Sequence, residues 1–120
     1  MKTNLDSSLA FSGKLSPKTL AKFKENLLPK QYREVKNFRA GEKYTNIDIV
    51  TVQNSPMRLM NGTVILPKET YAEFSKSRSK NAPKARIKLA DGQLPFNFDT
   101  FKLITEDLVK RGEKLLNILK

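Results

Sequence analysis

The sequence predicts an α+β domain whose antiparallel sheet is built from two β-hairpins and packed by helices. Two dipeptides predict the hairpins, because Asn61-Gly62 and Asp91-Gly92 each lie between apolar segments, as in tight turns. A third observation predicts the helices: proline-led segments near the N-terminus and residues 100–120 carry apolar side chains at helical spacing. We therefore expect a short N-terminal helical hairpin and a long C-terminal helix around the sheet.

One domain accounts for most of the chain. Its length of 120 residues falls in the range of a single domain, and no long linker divides it. We expect residues 9–120 to form this domain and the polar residues 1–8 to form a flexible N-terminal tail.

The N-terminal segment predicts a short strand and two helices. The stretch LAFSGKL at residues 9–15 suits the strand. Ser16 can cap a helix that has Pro17 in its first turn, where a missing N–H costs nothing. Pro29 ends that helix and begins a second one, which we expect to stop at Gly41.

The middle of the chain predicts a buried strand and the first hairpin. Residues 44–53 are rich in β-branched side chains and have little polar surface. A two-residue loop at the Asn-Gly turn that follows would pair Leu59 with Val64 and Met57 with Leu66 on one face.

Residues 67–77 predict a third helix. Pro67 would open it, and Tyr71 and Phe74 are spaced three apart, as on one helix face. Glu69 and Glu73 would lie near its start, where carboxylates complement the helix dipole. We favour that role over a metal site, because the chain has no histidine to complete one.

The second hairpin is predicted around the Asp91-Gly92 turn. The segment before it alternates strictly between basic and apolar residues. A two-residue loop would form three apolar pairs: Leu89 with Leu94, Ile87 with Phe96, and Ala85 with Phe98. Pro95 conflicts with this pairing, since it has no N–H for the ladder and calls for an edge strand or a bulge.

The C-terminal segment predicts one long amphipathic helix. Asp99 is the expected cap, and Gly112 marks a bend or a close packing contact. The predicted buried stripe consists of Phe101, Ile104, Leu108, Leu115 and Leu119.

Composition excludes several classes of function. The chain has no cysteine and no histidine, which removes disulfides, thiolate chemistry and the usual zinc sites. We expect no cofactor and no metal. No apolar run reaches the ~20 residues that span a bilayer, and no signal peptide is recognisable, so we expect a cytoplasmic protein.

The positive charge is concentrated in two blocks. The net charge is +11, and the excess lies in residues 1–43 and 68–90. Residues 44–67 and 91–120 are each balanced. Residues 76–88 are the densest part, with six cations and no acidic residue. A partner with negative charge is one explanation of such clustering.

The basic residues are the candidate binding site. Lys84, Arg86 and Lys88 would form a row with a spacing of about 6.5–7 Å on the outer face of a strand. A flexible loop before them and the first helix could extend the row. The candidates for contact with nucleic acid or another polyanion are Lys14, Lys18, Lys22, Lys76, Arg78, Lys80, Lys84, Arg86 and Lys88. The competing explanation is a solvated edge strand that resists aggregation.

Three functions follow from these observations. The first is a small basic module that binds nucleic acid or another polyanion through lysine and arginine. The second is a protein-interaction domain whose basic face meets an acidic partner. Neither requires catalysis, and we expect that the chain is not an enzyme.

The third function comes from a resemblance. The order of strand, helical hairpin and antiparallel strands over residues 9–66, with the high basicity, resembles the RelE-type toxins. That family cleaves RNA without a metal ion, using arginine, lysine and tyrosine side chains. The resemblance implies Arg58, Tyr44 and Tyr71 as the nearest catalytic candidates.

Overall fold

The computed structural model describes residues 13–41, 44–77 and 79–119. Within these ranges the elements are β1 Lys14–Leu15, α1 Pro17–Lys24, α2 Pro29–Lys36, β2 Asn46–Gln53, β3 Met57–Arg58, β4 Val64–Ile65, β5 Lys68–Ser75, β6 Ala85–Asp91, α3 Phe98–Lys102 and α4 Glu106–Ile118. The predicted α+β class is confirmed, including the N-terminal helical hairpin and the long last helix. The predicted tail at 1–8, the start of the first predicted strand and Arg78 lie outside the described residues.

Four strands form one mixed sheet in the order β1-β2-β5-β6. β1 runs parallel to β2, whereas β2 with β5 and β5 with β6 are antiparallel. The sequence predicts antiparallel pairing throughout. The parallel pair arises because the chain returns through α1 and α2 before it enters β2, and such a crossover brings strands together in the same direction. β3 and β4, which follow β2 and precede β5 along the chain, form a separate two-stranded ribbon.

Residues 67–77 contain a strand, and the predicted helix is wrong. β5 lies between β2 and β6 and pairs with both. Thr70, Ala72 and Phe74 alternate along its buried side. The spacing of Tyr71 and Phe74 fits a helix locally. Two strand partners satisfy the backbone on both edges, and this tertiary context overrides the local pattern.

The Asp91-Gly92 turn does not form the predicted hairpin. β6 instead pairs with β5, and the loop of residues 76–84 connects the two strands. Gly92 has a φ of +87°. Its N–H donates to the carbonyl of Lys68 at 2.6 Å. The turn therefore closes the end of the β5–β6 pair and directs the chain away from the sheet.

The segment after this turn packs its aromatic rings against the helices. Pro95 cannot donate to a ladder, and no strand forms there. Phe96 packs against Phe23 on α1 in a T-shaped arrangement, with ring centroids 5.2 Å apart. The ring centroids of Phe98 and Phe101 are 5.8 Å apart. The rings predicted to face β6 thus join the core from the helical side.

The hairpin at Asn61-Gly62 forms, but one residue out of the predicted register. Its pairs are Met57 with Ile65 and Arg58 with Val64. The loop holds three residues, because Leu59 N–H donates to Thr63 O at 2.8 Å. Gly62, with a φ of +87°, donates its N–H to Leu59 O at 2.9 Å. This is the three-residue loop with glycine in the left-handed position.

The first helix begins as predicted and the second ends earlier. Ser16 Oγ accepts the N–H of Thr19 at 3.2 Å, and Pro17 occupies the first turn of α1. Asn37 is the C-cap of α2, and its N–H donates at 3.0 Å to the carbonyl four residues back. Gly41 therefore lies beyond the helix and does not terminate it.

The predicted helix over residues 100–120 is broken in two. The Asn97 side chain caps α3 in place of the predicted Asp99. Thr105 then caps α4, because its Oγ1 accepts the N–H of Leu108 at 3.2 Å. A second cap resets the helical phase, so the residues of α4 that face the core differ from the predicted stripe.

The buried stripe of the C-terminal helices is confirmed only in its first part. Three of its predicted members are buried: Phe101, Ile104 and Leu108. Leu115 and Leu119 are 44% and 54% exposed, respectively. Val109, Gly112 and Leu116 face the core instead.

One hydrophobic core lies between the helices and one face of the sheet. The sheet contributes Ile47, Ile49, Ala72, Phe74, Ala85 and Ile87. Successive side chains on a strand point to opposite faces, so the residues between these lie on the other face of the sheet. That second face is polar and holds the candidate site.

Candidate functional site

A row of charged side chains crosses three strands on the polar face of the sheet. Asp48 on β2 is the register partner of Glu73 on β5, which in turn faces Arg86 on β6. Such partners have Cβ atoms about 4.5–5.5 Å apart, so the three groups are neighbours. Glu69 and Glu73, expected in the first turn of a helix, lie on β5 instead.

Helix α1 positions Asp48. Ser16 Oγ donates to Asp48 Oδ1 at 2.6 Å, and the Thr19 hydroxyl donates to the same oxygen. Thr19 Oγ1 also accepts the backbone N–H of Ile49 at 3.2 Å. Because β1 is only two residues long, this part of β2 continues past its strand partner. The side chain of Thr19 occupies the position that a longer β1 would fill.

The predicted alternation along β6 is confirmed. Ala85 and Ile87 are buried, while Arg86 and Lys88 are exposed on the opposite face. Lys84 directly precedes the strand and is also exposed. β6 is at the edge of the sheet, as the competing explanation of this segment requires.

Carboxylates on β5 and β6 neutralise much of the positive charge of Lys84, Arg86 and Lys88. Arg86 Nε lies 2.7 Å from Glu73 Oε2, and Lys84 Nζ lies 3.9 Å from Glu73 Oε1. Lys88 Nζ lies 2.7 Å from Glu69 Oε2 and also pairs with Asp91. The cations of β6 are therefore partly occupied by acidic groups of the same chain.

The pair of Glu69 and Lys88 has shifted pKa values. Hydrogen bonds from Lys88, Asn54 and Tyr71 lower the pKa of Glu69 from 4.5 to about 2. Hydrogen bonds to Asp91 and Glu69 raise the pKa of Lys88 above its usual range. The pKa of the Tyr71 hydroxyl is also raised, mainly because it donates to Glu69 at 2.8 Å. This corner of the sheet is a closed hydrogen-bonded network.

Lysines from both basic blocks line two clefts beside the polar face. One of about 300 Å³ has both Lys18 of α1 and Lys84 in its lining, next to Ser16 and Ser77. A second, of about 420 Å³, is also lined by Lys18 and Lys84 and adds Lys22. Both clefts contain the carboxylates of Asp48 and Glu73.

The lysines of α1 are differently placed from those of β6. Lys18 and Lys22 are exposed. Among the described residues, neither lies within 4.0 Å of a carboxylate oxygen. The Nζ of Lys22 stands over the ring of Phe96, 5.1 Å from its centroid. These two cations can therefore meet a ligand without first leaving an acidic partner.

The other predicted basic residues lie around the same end of the sheet. Lys14 on β1 is the register partner of Asn46, which lines the smaller cleft. Lys76 follows β5 directly, between two serines that line that cleft, and is half-buried. Lys80 is exposed in the loop that leads to Lys84.

The three candidates implied by the RelE-type resemblance are not brought together. Tyr44 precedes β2, whereas Arg58 follows it on the ribbon. The eight residues of β2 separate them by roughly 26 Å, at about 3.3 Å per residue. Tyr71 lies in the middle of β5, engaged with Glu69.

Two acidic residues of the site are not among the binding candidates predicted from the sequence. Asp48 is the one charged residue in a strand rich in β-branched side chains, and that interruption is a usable signal. Glu73 could be recognised only after β5 was known to be a strand, since its neighbours come from β2 and β6.

Further observations limit the chemistry of the described part of the chain. Within residues 13–41, 44–77 and 79–119, no cluster of three or more acidic side chains could hold a metal ion. No helix in these ranges has the length and apolar character needed to cross a membrane. Comparison with protein-family models, curated protein sequences and solved structures found no match for this chain.

Proposed function

We propose that this protein binds nucleic acid through a cationic rim made by α1 and the β5–β6 loop. The observation that carries the proposal is that Lys18 and Lys84 line the same two clefts. They come from the two basic blocks of the sequence, which are far apart along the chain. Lys22 extends the rim on one side. Lys76 and Lys80 belong to the loop that leads to Lys84 and would extend the rim further.

Binding at this rim would be electrostatic. Each lysine that meets a phosphate releases a condensed counterion, and this release supplies most of the affinity. The carboxylates of Asp48 and Glu73, which line the clefts, repel phosphates. A sugar–phosphate backbone would therefore follow the rim and would not enter the clefts.

Base recognition is not expected to add much specificity. Phe96 is the aromatic side chain in the lining of the larger cleft. Lys22 stands over its ring, and the ring packs against Phe23 in a T-shaped arrangement. A base could stack on this ring only after displacing Lys22. Contacts to the phosphate backbone carry no sequence information, so affinity should depend little on sequence.

A titration across a salt series tests the proposal. The full chain is added to a labelled single strand and to a labelled duplex of mixed sequence, and anisotropy is followed. We expect the logarithm of the affinity to fall linearly with the logarithm of the salt concentration. No binding at low salt, or an affinity independent of salt, would contradict the proposal. Binding of an acidic protein that nucleic acid cannot displace would favour the alternative function.

A further inference from the structure

The clefts beside the cationic rim hold a carboxylate that has no cation next to it. Asp48 is half-buried on β2 and lines both clefts. Within the described part of the chain, no lysine or arginine nitrogen lies within 4.0 Å of its oxygens. Glu73 differs, because Arg86 and Lys84 both lie beside its carboxylate. Asp48 therefore keeps a negative charge that these neighbours do not neutralise.

One oxygen of Asp48 already has its hydrogen-bond donors, and the other does not. The hydroxyls of Ser16 and Thr19 both donate to Oδ1, so α1 fixes the orientation of the carboxylate. Among the residues that the structure describes, none donates a hydrogen bond to Oδ2. An ionised carboxylate can only accept hydrogen bonds. Oδ2 is therefore a positioned acceptor, and a ligand at the clefts can supply its donor.

RNA and DNA differ in whether their backbone has a donor to offer. The phosphate and sugar oxygens within a DNA strand only accept hydrogen bonds, whereas every ribose of RNA adds a 2′-hydroxyl that donates as well as accepts. A strand that follows the rim brings its phosphates to Lys18 and Lys84 and its sugars to Asp48. With DNA, the carboxylate meets acceptors alone and repels them. With RNA, it gains a charge-assisted hydrogen bond that offsets this repulsion.

The sugar is a better source of this donor than the base. The 2′-hydroxyl is on the carbon next to the one that carries the 3′-phosphate, so a phosphate held by a rim lysine brings the hydroxyl to the cleft. A base needs a surface to stack on, and Phe96 in the larger cleft lies under Lys22. Asn46 and Ser75, which are register partners, line the smaller cleft with Asp48. These neutral polar groups can donate to the oxygen of the same hydroxyl.

We propose that the rim selects RNA over DNA, because Asp48 accepts a hydrogen bond from a ribose 2′-hydroxyl while the lysines bind the adjoining phosphates. The inference rests on the proposed binding of nucleic acid and names the kind that is bound. The lysines supply affinity for either backbone, and the carboxylate discriminates between the two. Loss of the discrimination therefore leaves salt-dependent binding in place, and the two proposals can fail separately.

Anisotropy titrations of the full chain with three labelled single strands test the selection. The strands are RNA, DNA and 2′-fluoro RNA of one base sequence, with uracil in all three, at one salt concentration. We expect RNA to bind about tenfold more tightly than DNA, as for one hydrogen bond to a charged group. The 2′-fluoro strand keeps the sugar pucker of RNA but has no donor, so it should bind like DNA.

Each other outcome of these titrations identifies what is wrong. Equal affinities for RNA and DNA would overturn the selection and leave nucleic-acid binding intact. If none of the strands binds, the proposed function fails as well. If 2′-fluoro RNA binds as tightly as RNA, the protein recognises the shape of the sugar, and the hydrogen bond assigned to Asp48 is wrong.

The variant Asp48→Asn assigns the selection to this side chain. Its amide oxygen can still accept from Ser16 and Thr19, but an N–H donor replaces Oδ2. We expect DNA to bind more tightly, because the repulsion is gone, and the ratio of RNA to DNA affinity to fall close to one. Asp107→Asn, exposed at the start of α4, makes the same charge change and should leave the ratio near its wild-type value. The ratio does not depend on the fraction of folded chain, so an unchanged ratio in Asp48→Asn would contradict the proposal.

Discussion

Gly112 on α4 lies directly against the ring of Phe74 on β5. A Cβ added at Gly112 would come within 2.3 Å of two ring carbons. Glycine in a helix normally costs about 1 kcal/mol relative to alanine. We expect the opposite sign here: Gly112→Ala should lower the free energy of unfolding by about 1–3 kcal/mol, because the core becomes overpacked. Denaturant unfolding measures this change.

A double-mutant cycle with Phe74→Leu ties the effect to this contact. The smaller side chain leaves room for the added methyl group, so Gly112→Ala should cost less in the Phe74→Leu background. Simple additivity of the two losses, or a stabilising Gly112→Ala, would show that the close packing is not what requires glycine.

Thr19 is expected to be a stabilising residue because it joins α1 to β2. It is 1% exposed, and its hydroxyl bonds both Asp48 and the N–H of Ile49. Thr19→Val keeps the shape but leaves these buried groups with fewer partners, at a cost of about 1–3 kcal/mol. Thr63→Val on the exposed ribbon is the control and should change the stability little. Equal effects from both would contradict this role.

The lowered pKa of Glu69 predicts that the folded protein loses stability in acid. The pKa of this side chain is lowered to about 2, so its favourable contribution is complete above pH 4.5 and is lost as the pH falls towards 2. Lys88→Met should raise the pKa of Glu69 towards 4.5, as followed by NMR titration of its carboxyl carbon. Lys80→Met, in the distant loop, should leave the pKa low. If the pKa of Glu69 is the same in both variants, the contact with Lys88 is not the cause of the lowered pKa.

Ion pairing predicts that Lys88 contributes little to nucleic-acid binding. Its charge is already opposed by Glu69 and Asp91. The double substitution Lys88→Gln with Glu69→Gln removes both members of one pair and should leave the salt dependence of binding close to that of the wild type. A loss as large as that from Lys18→Gln would mean that Lys88 contacts the ligand directly despite its ion pairs.

The sequence predicts correctly the features that depend only on neighbouring residues along the chain, such as helix starts and strand alternation. Ser16 and Pro17 mark the start of α1, and the alternation before Asp91 marks β6. The break between α3 and α4 had a readable signal as well. Thr105 followed by two acidic residues is a good N-terminal signature, but the surrounding helical spacing concealed it.

What the sequence could not indicate is which strands pair. The segment of β5 has a period compatible with a helix, and only its position between two strands decides the matter. The turn at Gly92 forms, but β6 pairs with β5, to which it is joined by the loop at 76–84, and not with the segment after the turn. Because the row of Asp48, Glu73 and Arg86 depends on this pairing, the neutralisation of the β6 cations was equally hidden.

The central claim is that the two basic blocks of the chain form one binding surface, and the salt dependence of two variants tests it directly. Lys18→Gln and Lys84→Gln should each reduce the slope of log affinity against log salt by about 1, and the double variant by about 2. Lys110→Gln, on the exposed side of α4, should leave the slope unchanged. If only one of the two lysines alters the slope, or neither does, the blocks do not share a ligand, which contradicts the proposed function.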